Sequence, residues 1–266
     1  MADWDGRGLP PVARARVERF ASSGLRTSLL SVPATVGIET AGFTPVGEVM
    51  GCIVQSVSPV LGLGGTMAGV SMEPYEASLR RGYGTALDRL KQEAAAIGAD
   101  GVVGITFTTT NVTENAREFV ALGTAVRAET PQRPGRLFTT ELAGQDVAKL
   151  LLSGWVPVSV AIGVSALAEY LYNAQLNSGW GGNFEVESYT RLITRVRSAA
   201  RGQFAGRIRE SGADGAIVSR MGLDTWRLGE VAVAARSIVI GTAVTRFHRG
   251  PAVRPATLTM LPVRQR

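Results

Sequence analysis

Gly98-Ala99-Asp100-Gly101 returns, letter for letter, as Gly212-Ala213-Asp214-Gly215. Each copy closes a helix-like run and opens a strand-like one. A glycine just past an apolar helical stripe supplies a left-handed cap. An aspartate beside it ties down a turn by accepting backbone amides. Gly98 and Gly212 are therefore expected to take positive φ, with Asp100 and Asp214 as anchors of the two turns.

The pairing extends on both sides. Gly42-Phe43-Thr44-Pro45-Val46 with Gly51 matches Gly154-Trp155-Val156-Pro157-Val158 with Gly163, at an offset of 112 residues. Glu73 and Tyr75 match Glu187 and Tyr189 at 114, and Gly123-Thr124-Ala125-Val126 matches Gly241-Thr242-Ala243-Val244 at 118. A period this long is a duplicated domain, because solenoid repeats run to about 20–50 residues. The growing offset places insertions between Gly51 and Glu73 and between Gly101 and Gly123, where surface loops are expected.

The chain of 266 residues suits two domains, each long enough for a core. It divides into a leader (1–24), a first domain (25–127), a linker (128–135), a second domain (136–247) and a basic tail (248–266). No apolar run approaches the roughly 18 residues of a membrane span. The start, Met1-Ala2-Asp3-Trp4-Asp5, lacks the basic and apolar segments of a signal peptide. A single cysteine, Cys52, excludes an internal disulfide. These features point to the cytoplasm. Arg246, Arg249, Arg254, Arg264 and Arg266 carry five of the six net positive charges, so the body before them is close to neutral. The tail reads as a solvated extension, with at most weak, salt-sensitive binding of nucleic acid.

Ala13, Val17 and Phe20 predict a short amphipathic helix in the leader. Leu25–Val32 alternates as a strand, followed by a turn or short helix to Gly42, and Phe43–Ser58 reads as a second strand. Helices are predicted over 74–97 and from Ser188 to Gly212. The first has a stripe of Tyr75, Leu79, Ala86, Leu90, Ala94 and Ile97. The second has Ser188 as N-cap and a stripe of Tyr189, Ile193, Val196, Ala200, Phe204 and Ile208. Gly82, Gly84, Gly202 and Gly206 lower helix propensity and call for close packing. Val102–Thr109, Glu118–Arg127, Ala216–Leu223 and Val231–Arg246 complete the strands. Each unit is α+β, a mostly antiparallel sheet with one long helix.

These residues together resemble the YbjQ-like family, whose domain carries the label "heavy-metal-binding". The marks are Phe138-Thr139-Thr140-Glu141-Leu142-Ala143-Gly144, the Tyr75 and Tyr189 helices, Gly-Ala-Asp-Gly and the closing Gly-Thr-Ala-Val. The resemblance covers 25–127 and 136–247. It implies a small α+β domain that assembles into closed rings, pentamers among them, and no settled activity.

The metal label meets a shortage of ligands. Soft metals need thiolate or imidazole donors at defined spacing, and the chain has only Cys52 and His248, at unmatched positions. A site shared among subunits with Met50, Met67 or Met72, or a hard-cation site on Glu73, Glu187, Asp100 or Asp214, stays open. Triad chemistry lacks a base, because the only histidine borders the tail. Glu73 with Asp100 is a carboxylate pair in principle. Gly64 and Gly65 lie in a glycine-rich stretch without the lysine of a P-loop. With Glu73, Tyr75, Glu187 and Tyr189 they form the ligand-binding candidates. Tyr75, Tyr189, Trp155, Trp180 and Trp226 read foremost as packing aromatics.

The reading that follows is a non-enzymatic, ring-forming structural or binding protein without a cofactor. Val102–Thr109 and Val231–Ile240 would leave apolar edges that neighbours in a homo-oligomer cover, with a pentamer as the first expectation. A ligand- or metal-binding stress protein with its site at an interface is the alternative, and an enzyme using Glu73, Tyr75 and Asp100 is another.

Overall fold

The computed structural model describes residues 4, 8–23, 27–57, 71–131, 133–170, 187–229 and 232–247. Gly64, Gly65, Met67, Trp180, His248 and the tail lie outside the described residues, as does most of the first predicted insertion.

The first half contains α1 (Pro11–Ser23), α2 (Val32–Thr40), β1 (Phe43–Ser56), α3 (Glu73–Ala96), β2 (Gly101–Thr113) and β3 (Ala116–Ala128). The second contains β4 (Phe138–Thr139), α4 (Gly144–Leu152), β5 (Trp155–Tyr170), α5 (Glu187–Glu210), β6 (Gly215–Leu228) and β7 (Ala232–Arg246). Two sheet-plus-helix units are thus present, and every strand pair is antiparallel except β2 with β4.

The predicted strand over Leu25–Val32 is not formed in its described part. Thr27–Ser31 is irregular and Val32 opens α2. Local chemistry overrides the alternation here: the Ser31 side chain accepts the Ala34 amide at 3.4 Å, and Pro33 occupies the first turn, where its missing N–H costs nothing. Ser188 is likewise not an N-cap, because Glu187 is already helical. It is buried inside the first turn, and Leu192 takes the stripe position assigned to Ile193.

The glycine caps form as expected. Gly98 has φ +71° and Gly212 φ +72°. At α3 the Gly98 amide bonds to the Ala95 carbonyl and the Ala99 amide to Ala94, both at 3.0 Å, the two reciprocal bonds of a Schellman cap. Beside the caps the aspartates act identically. Asp100 Oδ2 accepts the Ala128 amide at 2.8 Å, and Asp214 Oδ2 accepts the Arg246 amide at 2.9 Å. Each carboxylate fastens the far end of its hairpin to the end of its helix. Ala128 is the last residue of β3, and Arg133 Nε, further on, pairs with Asp100 at 2.8 Å.

The sheets have the orders β1-β3-β2-β4 and β5-β7-β6. α3 lies between them. One face buries Val49, Phe119 and Ala121 of the first sheet, and the same cluster takes in Val160, Val164 and Ile240 of the second. α5 covers the other face of the second sheet through Ala200, Phe204 and Ile208 against Ala161, Val239 and Ala243. The layers run sheet, helix, sheet, helix. Gly51 and Gly163 set the helix-to-sheet distance at matched places. A Cβ on Gly51 would run into the Ala86 carbonyl, and one on Gly163 into the Ala200 carbonyl. A Cβ on Gly82 would strike Phe119, whereas one on Gly84, Gly202 or Gly206 would meet nothing within 4 Å among the described residues, contrary to the packing expected of them.

Candidate functional site

The acid–base pairing of Glu73 with Asp100 does not occur. Glu73 opens the 24-residue α3 and Asp100 lies past its other end, about 36 Å away at 1.5 Å per residue. Glu73 and Glu187 are exposed at the helix starts, where the dipole favours them. Tyr75 is buried between the halves, 5.7 Å from the Trp226 ring, with its hydroxyl 3.3 Å from Arg236 Nη1. Tyr189 is half-buried against Leu192 and Val233. Trp155 stacks under Arg246 at 4.8 Å. Among the described residues no group of three or more His, Cys, Asp or Glu side chains converges. Cys52 Sγ lies 3.2 Å from Glu118 Oε1, and burial first, then this carboxylate, pushes its thiol up to about 11.

What the fold brings together instead is a joint between the halves. Phe138-Thr139 leaves its own unit and adds to the first sheet as a parallel strand on β2. The Phe138 amide bonds to the Asp100 carbonyl at 3.1 Å, Thr140 to Val102 at 2.9 Å, Ile105 back to Thr140 at 3.0 Å and Gly104 to Leu142 at 2.9 Å. The other side of the segment is held by its own unit. Thr139 Oγ1 accepts the Val160 amide at 3.0 Å, and the buried Thr140 and Thr242 hydroxyls meet at 2.9 Å. Thr242 also accepts the Glu141 amide at 3.3 Å. The Glu141 carboxylate takes the Ser219 hydroxyl, and burial raises its pKa above the ordinary carboxylate value. α4 follows and packs on α2 at a glycine contact: a Cβ on Gly144 would strike the Ala34 carbonyl, and one on Gly37 would strike Gln145.

The outer edge of the second sheet is the twin of this joint, without an added strand among the described residues. β7 is central, so the apolar edge assigned to Val231–Ile240 lies instead on β6. Val102, Val103, Ile105 and Phe107 of β2 are buried; Ala216, Ile217, Ser219 and Met221, their counterparts on β6, are exposed. The strand edges were legible only as a class. The joint itself left a trace in the sequence: Thr124 and Thr242 occupy the same place in an otherwise apolar Gly-Thr-Ala-Val, which marks a buried hydroxyl with a partner to find.

Two cavities flank α3 and the joint. One, about 500 Å³, is almost wholly apolar, lined by Phe43, Phe138, Val147, Leu151 and Val156 with Arg136 at its wall. The other, about 370 Å³, lies between α3 and β5, with Arg80, Asp88 and Arg207 among its walls.

Comparison with known proteins agrees with the duplication. A family described as "Putative heavy-metal-binding" matches residues 35–129, nearly the whole first unit. The chain is 30% identical over 262 residues to the encapsulin nanocompartment protein Rv1762c of Mycobacterium tuberculosis, covering 93% of this chain and 95% of that protein. A UPF0145 protein of Lactiplantibacillus plantarum is 33% identical over 101 residues, 37% of this chain and 88% of that protein. One of Thermosipho africanus is 36% identical over 85 residues, 31% and 79% respectively. The UPF0145 relatives are thus matched over most of their own length by part of this chain, and the Mycobacterium tuberculosis relative by nearly all of it; the chain belongs to the YbjQ-like UPF0145 family, as a tandem of two units.

Proposed function

We propose that this protein is a non-enzymatic structural component that self-assembles into a closed ring or compartment-like shell, with both units contributing. The observation that carries this is the unequal fate of two equivalent edges: β2 is covered by β4 and α4, whereas among the described residues no strand pairs with the outer side of β6, and its apolar side chains are exposed. Bare edges of this kind are ordinarily closed by another strand. The relative that spans nearly the whole chain is named a nanocompartment protein, which supports an assembling role. Five chains, giving ten units, is the count we propose for the ring. Light scattering and negative-stain electron microscopy test it. A mass that stays at the 28.0 kDa of one chain across a range of concentrations rejects it.

A second reading rests on the apolar cavity beside the joint. Its volume, about 500 Å³, lies within the usual range for a small-molecule site. In this reading the protein holds an apolar ligand at the junction of its units, and native mass spectrometry of the freshly purified protein would show the bound species.

A further inference from the structure

The internal repeat says what covers β6. Subtracting the offset of 112 residues, α4 (Gly144–Leu152) corresponds to α2 (Val32–Thr40), so Thr139–Leu142 corresponds to Thr27–Leu30. The two segments are built alike. The Leu30 amide bonds to Ser28 Oγ at 3.2 Å, as Leu142 does to Thr140 Oγ1 at 3.0 Å. The Leu29 amide bonds to Thr124 Oγ1 at 3.0 Å, as Glu141 does to Thr242 Oγ1 at 3.3 Å. Each is thus moored to its own sheet by one side. The other side of Thr139–Leu142 carries β2. On the other side of Thr27–Leu30 no strand pairs among the described residues, and Ser28 and Leu29 are exposed. Because this segment is moored to the first sheet, it cannot also lie on β6 of its own chain.

We propose that a second copy of this chain adds its Thr27–Leu30 segment in parallel to β6 at Gly215–Ser219 and lays Val32 and Val36 of its α2 against α4, repeating between chains the joint that the two halves make within one. The proposal rests on the self-assembly reading above and names its interface. The Ser28 amide meets the Ala216 carbonyl and the Ser219 amide meets the Ser28 carbonyl, the counterparts of the Thr140–Val102 and Ile105–Thr140 bonds. Val32 and Val36 correspond to Gly144 and Ala148, the α4 side that meets α2, and they are 77% and 56% exposed. On the receiving side Ile217, Val218, Met221 and Leu152 are exposed as well. These account for much of the exposed apolar surface among the described residues, gathered into two sets that the repeat brings face to face.

The ends of the layer stack agree in charge. Tyr83 and Leu87 of α3, which pack toward Val160 of β5, correspond to Arg197 and Arg201 of α5, both exposed; Val160 corresponds to Glu48 of β1. Side chains that face each other across α3 and β5 inside the chain are thus replaced, in the proposed joint, by residues of opposite charge. The copy is not identical everywhere. Gly37 and Gly144 become Lys149 and Val32, so the helices stand further apart at the outer joint, with valine side chains filling the gap. Gly104, with φ +64°, becomes Val218, so the bond from Gly104 to Leu142 has no outer equivalent. Such a head-to-tail joint uses two different surfaces and propagates until the rotation closes a ring.

Two double variants of the full chain test this. Val32→Glu with Val36→Glu disables the adding face, and Val218→Glu with Met221→Glu disables the receiving face. All four side chains are exposed, so far-UV circular dichroism should match the parent. The parent is expected at a multiple of 28.0 kDa and each variant alone at 28.0 kDa. An equimolar mixture should then give a two-chain species and nothing larger, since only one intact joint remains. Variants that assemble like the parent would overturn this interface and leave self-assembly standing. Variants that are monomeric but do not pair when mixed would show that the two faces do not meet. A monomeric parent would remove both the interface and the assembly reading beneath it.

Discussion

Arg16 of the leader helix grips Glu93 of α3 with two prongs, Nε to Oε1 at 2.5 Å and Nη2 to Oε2 at 2.7 Å. Glu93 is fully buried, and its Oε2 also accepts the Met50 amide at 3.1 Å. The leader is thereby fixed to the first unit by a charge that has no other cationic partner among the described residues. Arg16→Ala strands that carboxylate and is expected to cost about 3 kcal/mol, the lower part of the range for breaking a buried pair, since Arg16 retains some exposure. Adding Glu93→Gln removes the stranded charge and should recover part of the loss. Urea unfolding of the single and double variants checks this; a double variant weaker than Arg16→Ala alone would contradict it.

Helix-to-sheet spacing is set by two glycines. Gly51→Ala and Gly163→Ala each drive a methyl into a helix carbonyl and should cost about 1–3 kcal/mol by overpacking. Gly84→Ala faces open space and should be neutral or stabilising by up to about 1 kcal/mol. Thermal unfolding midpoints of the three variants give the comparison, and equal midpoints would remove the steric account.

The two cap glycines differ in their surroundings. A Cβ on Gly212 meets nothing within 4 Å among the described residues, so the expected cost of Gly212→Val is chiefly the left-handed backbone, about 1–2 kcal/mol. Gly98→Val adds a clash with Arg127, whose guanidinium caps the Gly98 and Ile97 carbonyls at 2.9 and 2.7 Å. The loss at Gly98 should exceed that at Gly212. The order of the two denaturation midpoints decides it.

Cys52 should be a slow nucleophile. With its thiol at about 11, little thiolate exists near neutral pH, and alkylation by iodoacetamide should accelerate with pH up to that value. The unfolded chain should react as an ordinary thiol. The same shift has a sign for stability: as pH rises, the unfolded thiol ionises first, so stability falls between the ordinary thiol pKa and about 11. Mass spectrometry of labelled native and unfolded protein reads the rates, and equal rates would show an unprotected thiol.

Local and repeated features were determined by the sequence itself. Gly98 and Gly212 needed no tertiary context, because a left-handed cap follows from one residue's φ; Asp100 and Asp214 followed from their place beside it. The long helices and the β2–β3 and β6–β7 hairpins came from periodicity, and the tandem organisation from the matched offsets. Misreadings arose where a local cue competed with another, as at Leu25–Val32, where alternation lost to the Ser31 and Pro33 start signals, or at Leu192, where the phase of a stripe depends on the sheet it meets. Tertiary structure alone decided the rest. No local property of Phe138-Thr139 says that it joins the other unit's sheet, or that α3 packs between two sheets while α5 covers one. Arg16 and Glu93 are 77 residues apart, and nothing near either names the other. Such pairings depend on which surfaces remain uncovered once each unit has formed, and burial of the whole chain, not of any one segment, selects among them.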